Sequence, residues 1–140
     1  MKFNIEKSTD LEDEYISEML LKHNKENLKL KQKDPYKKFS YVVKENNKVI
    51  AGIIGYSVLW KIFYIDTLWV KKEYRNKKIG TNLLNFILNK AKKYGCHIVH
   101  LDSFEFQGVE FYLKNGFEIF GILEDSPKGY KEYFLKKVLK

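Results

Sequence analysis

The chain changes its hydrophobic period once, between Trp60 and Ala91. Trp60 to Val70 is an apolar run rich in β-branched and aromatic residues, the texture of a buried strand. Lys71 to Lys78 is basic and polar. From there the apolar residues fall at Ile79, Leu83, Leu84, Ile87, Leu88 and Ala91, one stripe of an amphipathic helix that Gly95 closes in the C′ position. Ile98 to Leu101 then reads as a strand. Strand, helix and strand in that order make a crossover unit, so the chain is expected to fold as an α/β or α+β domain around a mixed sheet.

The flanks fit this frame. Lys2 to Glu6 alternates and is read as a short first strand. Asp10 to Lys22 predicts a helix with Leu11, Tyr15, Met19 and Leu20 on one face and Ser8, Thr9 and Asp10 as capping residues. His23 to Lys33 predicts a second, weaker helix ended by Asp34-Pro35. Phe39 to Lys44 and Val49 to Leu59 are strand-like, and Asn46-Asn47 suits a hairpin turn between them. Gly108 to Lys114 predicts a short helix stopped by Asn115-Gly116. Phe117 to Leu123 and Tyr130 to Val138 predict a closing hairpin with Pro127 and Gly129 in its turn. No repeat or internal boundary is visible, so residues 1–140 are read as one domain.

Composition removes several classes. Aromatic residues make up 16% of the 140, which argues against disorder. No stretch approaches the length of a membrane span, and the N-terminus lacks the apolar run of a signal peptide. The one cysteine, Cys96, permits no intrachain disulfide, which fits a reducing cytoplasm. It is read as a small buried residue. With one cysteine and no His-x-x-x-His spacing, no metal site is expected. The net charge of +8 suits a polyanionic small ligand. No helix-turn-helix, zinc-finger or RNP-like pattern accompanies it, so neither nucleic acid nor a membrane is an expected partner.

The segment that carries chemistry is Tyr64 to Leu84. A strand leads through a basic loop, Arg75-Asn76-Lys77-Lys78, into a helix that begins Ile79-Gly80-Thr81. A helix start has unpaired N–H groups and partial positive charge, so it binds phosphate, and Gly80 lets the backbone approach closely. The segment resembles the acetyl-CoA motif of the GNAT superfamily, Gln/Arg-x-x-Gly-x-Gly/Ala. Arg75 matches its first position and Gly80 its last, while Lys78 stands at the first glycine. Glu110-Phe-Tyr-Leu-Lys-Asn-Gly-Phe117 is similar to the Phe-Tyr-x-x-x-Gly-Phe stretch of the same superfamily.

The resemblance, which covers roughly Phe39 onward, implies a single GNAT-like domain of about seven mixed, mostly antiparallel strands flanked by helices. It implies an N-acetyltransferase that uses acetyl-CoA as co-substrate, with no metal, and moves the acetyl group to a primary amine by direct attack in a ternary complex. The other reading of the same resemblance is a non-catalytic CoA-binding module. The strand before the phosphate loop would splay from its neighbour, with the backbone of Leu68, Trp69 and Val70 facing the pantetheine. Arg75, Asn76, Lys77, Lys78, Ile79, Gly80 and Thr81 would hold the pyrophosphate, and Gln107 would touch the pantetheine arm or cap the short helix. Tyr112 would be the general acid beside the sulfur. The strand glutamate that some members use as a base falls on Tyr64 here and does not carry over. Asp66, on the same strand face, is the expected catalytic base, with His100, Asp102, Glu105 or bulk water as alternatives. Glu124 and Asp125 would border the acceptor. The acceptor would be a small-molecule or peptide amine and the protein a monomer or homodimer. The positive charge disfavours a highly cationic acceptor unless the cleft is locally acidic.

Overall fold

The computed structural model describes residues 2–140. They divide into two compact units, residues 2–31 and Gln32–Lys140.

The first unit holds one helix, α1 (Asp10–Asn27). Thr9 caps it in a reciprocal box with Glu12: the Thr9 hydroxyl accepts from the Glu12 N–H, and the Glu12 carboxylate accepts from the Thr9 N–H. Two expectations fail in this unit. Residues 2–9 form no strand, because alternation alone does not make one without a ladder partner. The expected second helix over His23–Lys33 is absent too. No glycine or proline separates Lys22 from His23, so α1 runs on, and it ends where the Asn27 amide donates to the His23 carbonyl at 2.9 Å.

The second unit is a six-stranded sheet in the order β1-β2-β3-β4-β6-β5, with β1 (Tyr36–Glu45), β2 (Lys48–Val58), β3 (Ile62–Val70), β4 (Ile98–Phe104), β5 (Glu118–Glu124) and β6 (Lys131–Val138). Six strands replace the seven expected, since the N-terminal alternation supplies none. The β3–β4 pairing is parallel and every other pairing antiparallel. Asn46 and Asn47 both have positive φ in the β1–β2 turn, the two-residue hairpin geometry asparagine tolerates.

Helix α2 (Ile79–Tyr94) makes the crossover and lies against β1, β2 and β3. Its stripe of Leu83, Leu84, Ile87, Leu88 and Ala91 is buried on Ala51, Ile53, Phe63, Ile65, Val99, Leu101 and Leu135. Each large side chain so buried contributes roughly 1.5–3 kcal/mol. Gly95, at φ +105, ends the helix in the left-handed conformation. Cys96 is buried as expected, its thiol donating to the Ser57 hydroxyl at 3.3 Å. A short helix, α3 (Val109–Lys114), precedes β5.

Candidate active site

β3 and β4 pair only over Ile62–Tyr64 against Ile98–His100, although both strands continue. Beyond Tyr64 they part. The β4-facing edge of β3 is left without a ladder partner through Val70, and a cleft of about 930 Å³ opens there.

A second irregularity sits at the same place. Ile54 pairs with Thr67 while Gly55 pairs with Ile65, so Asp66 is the extra residue of a β-bulge. The bulge shifts the inward phase from Phe63 and Ile65 to Leu68 and Val70, which pack on the core. It leaves Asp66 exposed in the cleft wall, its carboxylate accepting from the Thr67 hydroxyl at 3.1 Å. Gly55 accommodates the bulge: a Cβ there would lie 2.6 Å from the Phe63 ring.

Leu68, Trp69 and Val70 line the cleft on β3, and Arg75, Asn76, Lys78, Ile79, Gly80 and Thr81 line it around the start of α2. Lys78 is the N-cap of α2 and supplies no side-chain cap, so the first-turn N–H groups face the cleft end uncapped. Asn76 and Lys78 both take left-handed φ, +62° and +64°. Loops of this kind turn consecutive N–H groups toward one point and bind anions. For Lys78 the conformation costs roughly 1–2 kcal/mol relative to glycine. Gly80 has ordinary φ, and a Cβ added to it would meet Phe111 at 3.5 Å and Val70 at 3.7 Å, normal contact distances. The protein's own packing therefore does not require glycine at 80.

Two expected loop contacts resolve differently. The Arg75 Nε donates to the Val70 carbonyl at 3.0 Å and ties the loop to the end of β3. Lys77 does not line the cleft; its ammonium lies 5.8 Å from the Tyr74 ring centroid.

The opposite wall comes from β4 and α3. Tyr112 lines it, 8% exposed. Among the described residues its hydroxyl has no hydrogen-bond partner. Burial pushes its pKa up to about 12, so the phenol holds its proton throughout the neutral range. Gln107 lines the cleft but does not cap α3. Its side-chain oxygen accepts from the Phe104 N–H at 2.7 Å and fixes the turn after β4, while Gly108 is the N-cap.

Other acidic candidates lie elsewhere. The Glu105 carboxylate accepts from the Lys131 N–H at 2.6 Å, and Asp125 from the Gly129 N–H at 3.1 Å. Glu124 faces Lys131 at 4.0 Å. None of the three lines the cleft, so Glu124 and Asp125 serve the β5–β6 turn. Asp102 does line it, on β4. Its carboxylate accepts from the Tyr64 hydroxyl at 2.7 Å, the one side-chain bond across the point where the strands part. His100 lies beside the pair, its ring centroid 5.1 Å from that of Tyr64, and burial lowers its pKa.

Sequence reasoning missed the bulge and the aromatic part of the wall, Tyr74, Phe106 and Phe111. The apolar phase break from Ile65 to Leu68 was the available signal for the first. Nothing in the sequence distinguishes Phe106 from a core aromatic, whereas the signal for Phe111 was its place at the head of the Phe-Tyr-x-x-x-Gly-Phe stretch.

The family model for the acetyltransferase (GNAT) family matches residues 6–117. A crystal structure of an acetyltransferase from Bacillus cereus is 38% identical, with TM-score 0.91 and 98% of both chains covered. The blasticidin-S acetyltransferase of Streptomyces morookaense is 27% identical over 101 residues, 71% of this chain and 74% of that protein. An acetyltransferase of Agrobacterium fabrum is 27% identical over 94 residues, 66% of this chain and 67% of its own length. A strand pair that opens beside an uncapped helix start, with a phenol on the far wall, thus accompanies a match over most of the sequence: the chain belongs to the GNAT acetyltransferase family.

Proposed function

We propose that the protein is an acetyl-CoA-dependent N-acetyltransferase that acetylates a primary amine in a ternary complex. The observation that carries the reading is the divergence of β3 from β4 directly ahead of the uncapped start of α2, with Tyr112 across the cleft. When bound, acetyl-CoA supplies an acetyl thioester whose carbonyl carbon is the electrophile.

The chain's own groups divide the remaining work. The first-turn N–H groups of α2 and the left-handed loop hold the pyrophosphate, with Lys78 adding charge. The unpaired edge of β3 at Leu68–Val70 aligns the pantetheine and donates N–H to the carbonyl oxygen as it gains charge. Tyr112 donates its O–H toward the sulfur. At a pKa of about 12 its acidity is weak, so its main effect is a hydrogen bond that strengthens as the sulfur becomes negative. Asp66, exposed by the bulge, takes the proton of the incoming amine directly or through water. An N–C bond forms, the C–S bond breaks, and each ammonium consumed yields an amide, a thiol and one proton.

Calorimetric titration with acetyl-CoA, followed by thiol release with a panel of amines, tests this. One-site binding with amine-dependent thiol release is expected. Binding without release by any amine favours the non-catalytic module, and no binding by folded protein refutes both.

A further inference from the structure

Beyond the bulge, the side chains of β3 alternate between the two faces of the sheet. Leu68 and Val70 pack on the core that α2 covers, so Trp69 points to the other face. The β2 residue paired with it is Gly52, which has no side chain to cover the indole, and Trp69 stays 47% exposed. β4 alternates in the same way. Leu101 and Ser103 are buried, so Asp102 and Phe104 point away from α2. The Phe106 ring stacks on Phe104, with centroids 5.6 Å apart and planes at 11°, and meets Tyr130 edge-on at 5.5 Å. Trp69 on β3 and Phe106 just past β4 both line the cleft.

Phe106 is 62% exposed, yet the turn that carries it is pinned from both sides. The Gln107 N–H donates to the Phe104 carbonyl at 2.9 Å, and the Gln107 side-chain oxygen accepts from the Phe104 N–H. The Glu105 N–H donates to the Lys131 carbonyl at 2.9 Å, and its carboxylate accepts from the Lys131 N–H. Neither Trp69 nor Phe106 belongs to the core cluster. A large ring that is held in place but left uncovered beside a cleft is a binding surface. The phosphate-binding end of the cleft belongs to α2, on the first face. An acceptor that joins acetyl-CoA in a ternary complex then enters from the other face, where the uncovered rings stand.

We propose that the Trp69 and Phe106 side chains form the acceptor subsite, and that the acceptor is a primary amine carrying a planar aromatic or heteroaromatic body that rests on these rings while its amino group reaches the thioester. The backbone of Trp69 remains on the cofactor edge of β3; only its indole serves the acceptor. Phe104, Tyr130 and Gln107 act through Phe106 as positioning residues. The inference rests on the N-acetyltransferase reading above and narrows its substrate class.

The test compares 2-phenylethylamine, 2-cyclohexylethylamine and ethylamine by thiol release, with calorimetry for acetyl-CoA. In the parent, kcat/KM for 2-phenylethylamine is expected to exceed that for each of the other two by about tenfold or more. Phe106→Ala should lower kcat/KM for 2-phenylethylamine about tenfold, leave that for ethylamine within about twofold, and leave the acetyl-CoA Kd unchanged. Phe106→Leu keeps apolar bulk but loses the flat face, and should stay impaired with 2-phenylethylamine. Trp69→Leu should lower kcat/KM for 2-phenylethylamine more than for ethylamine. Phe106 is exposed, so its variants should fold, and thermal melting checks them.

Equal kcat/KM for 2-phenylethylamine and ethylamine in the parent overturns the subsite, as does turnover of other amines without turnover of 2-phenylethylamine. An equal loss for both amines in Phe106→Ala does the same. A raised acetyl-CoA Kd in Phe106→Ala, in place of the amine effect, would give the ring to the cofactor. A parent that prefers 2-cyclohexylethylamine refutes the planar body. Failure of the parent to bind acetyl-CoA, or to release thiol with any amine, refutes the enzymatic reading itself.

Discussion

Replacing Gly80 by alanine should raise stability and leave acetyl-CoA affinity nearly unchanged, whereas glutamate at the same position should weaken binding. Gly80 is the second residue of α2, has ordinary helical φ, and would place its new methyl 3.5 Å from the Phe111 ring and 3.7 Å from Val70. None of these contacts is tight. Within a helix, alanine is favoured over glycine by roughly 0.5–1 kcal/mol, because glycine loses more backbone freedom on folding. For a chain of this length that corresponds to a rise in melting temperature of about 2–4 °C. A methyl suits the cradle, as the Gly/Ala choice at this motif position implies, but a glutamate side chain would set bulk and negative charge where a pyrophosphate must reach the first-turn N–H groups. Losing or lengthening one charge-assisted hydrogen bond costs about 1.5–3 kcal/mol, so in Gly80→Glu the acetyl-CoA Kd should rise by roughly one to two orders of magnitude. Scanning calorimetry and titration calorimetry on both variants read the two quantities. Unchanged affinity in folded Gly80→Glu would remove Gly80 from the phosphate site. A destabilised alanine variant would mean the space beside Phe111 and Val70 is already taken.

Further outcomes follow from the same geometry. Tyr112→Phe should lower kcat roughly a hundredfold, read by thiol release, with acetyl-CoA affinity unchanged, since it removes only the O–H on the cleft wall. The pH–rate profile of the parent should show no falling limb from Tyr112 below about pH 11, because burial holds that phenol near 12. That burial also stabilises the fold below pH 10. The stability, roughly 2–3 kcal/mol, should be lost as pH rises from about 10 to about 12, where the unfolded phenol ionises first; chemical denaturation at several pH values measures it. Gly55→Ala should destabilise by about 1–3 kcal/mol in urea melts, because the Phe63 ring occupies the space a Cβ would need. Lys78→Gly should raise the melting temperature, since it relieves a left-handed lysine.

The parts legible in the sequence were those with a local cause. The α2 stripe, its Gly95 stop and the Asn46-Asn47 turn each follow from a period or a backbone preference within a few residues. The start of α2 at Ile79 was legible because the apolar stripe begins there after a basic, polar loop. The N-terminal alternation misled, because a strand needs a partner that no local pattern names. The Tyr64–Asp102 bond was hidden for a related reason: 38 positions separate its ends, and only the crossover brings them to one level. The left-handed backbone at Lys78 was hidden because lysine has no preference for it, and the loop imposes it.

The order of strands in the sheet has a consequence for how the protein is made. β6 lies between β4 and β5, both of which precede it in the chain. On the ribosome, the crossover half of the sheet can form as soon as β4 has emerged. β5 then has no neighbour to pair with until residues 131–138 clear the exit tunnel. At a synthesis rate of about 5–20 residues per second, the nascent chain shows a bare β4 edge and an apolar, unpaired β5 for a second or more. Ile119, Phe120, Ile122 and Leu123 make that interval one in which a chaperone that recognises extended apolar segments would find its substrate.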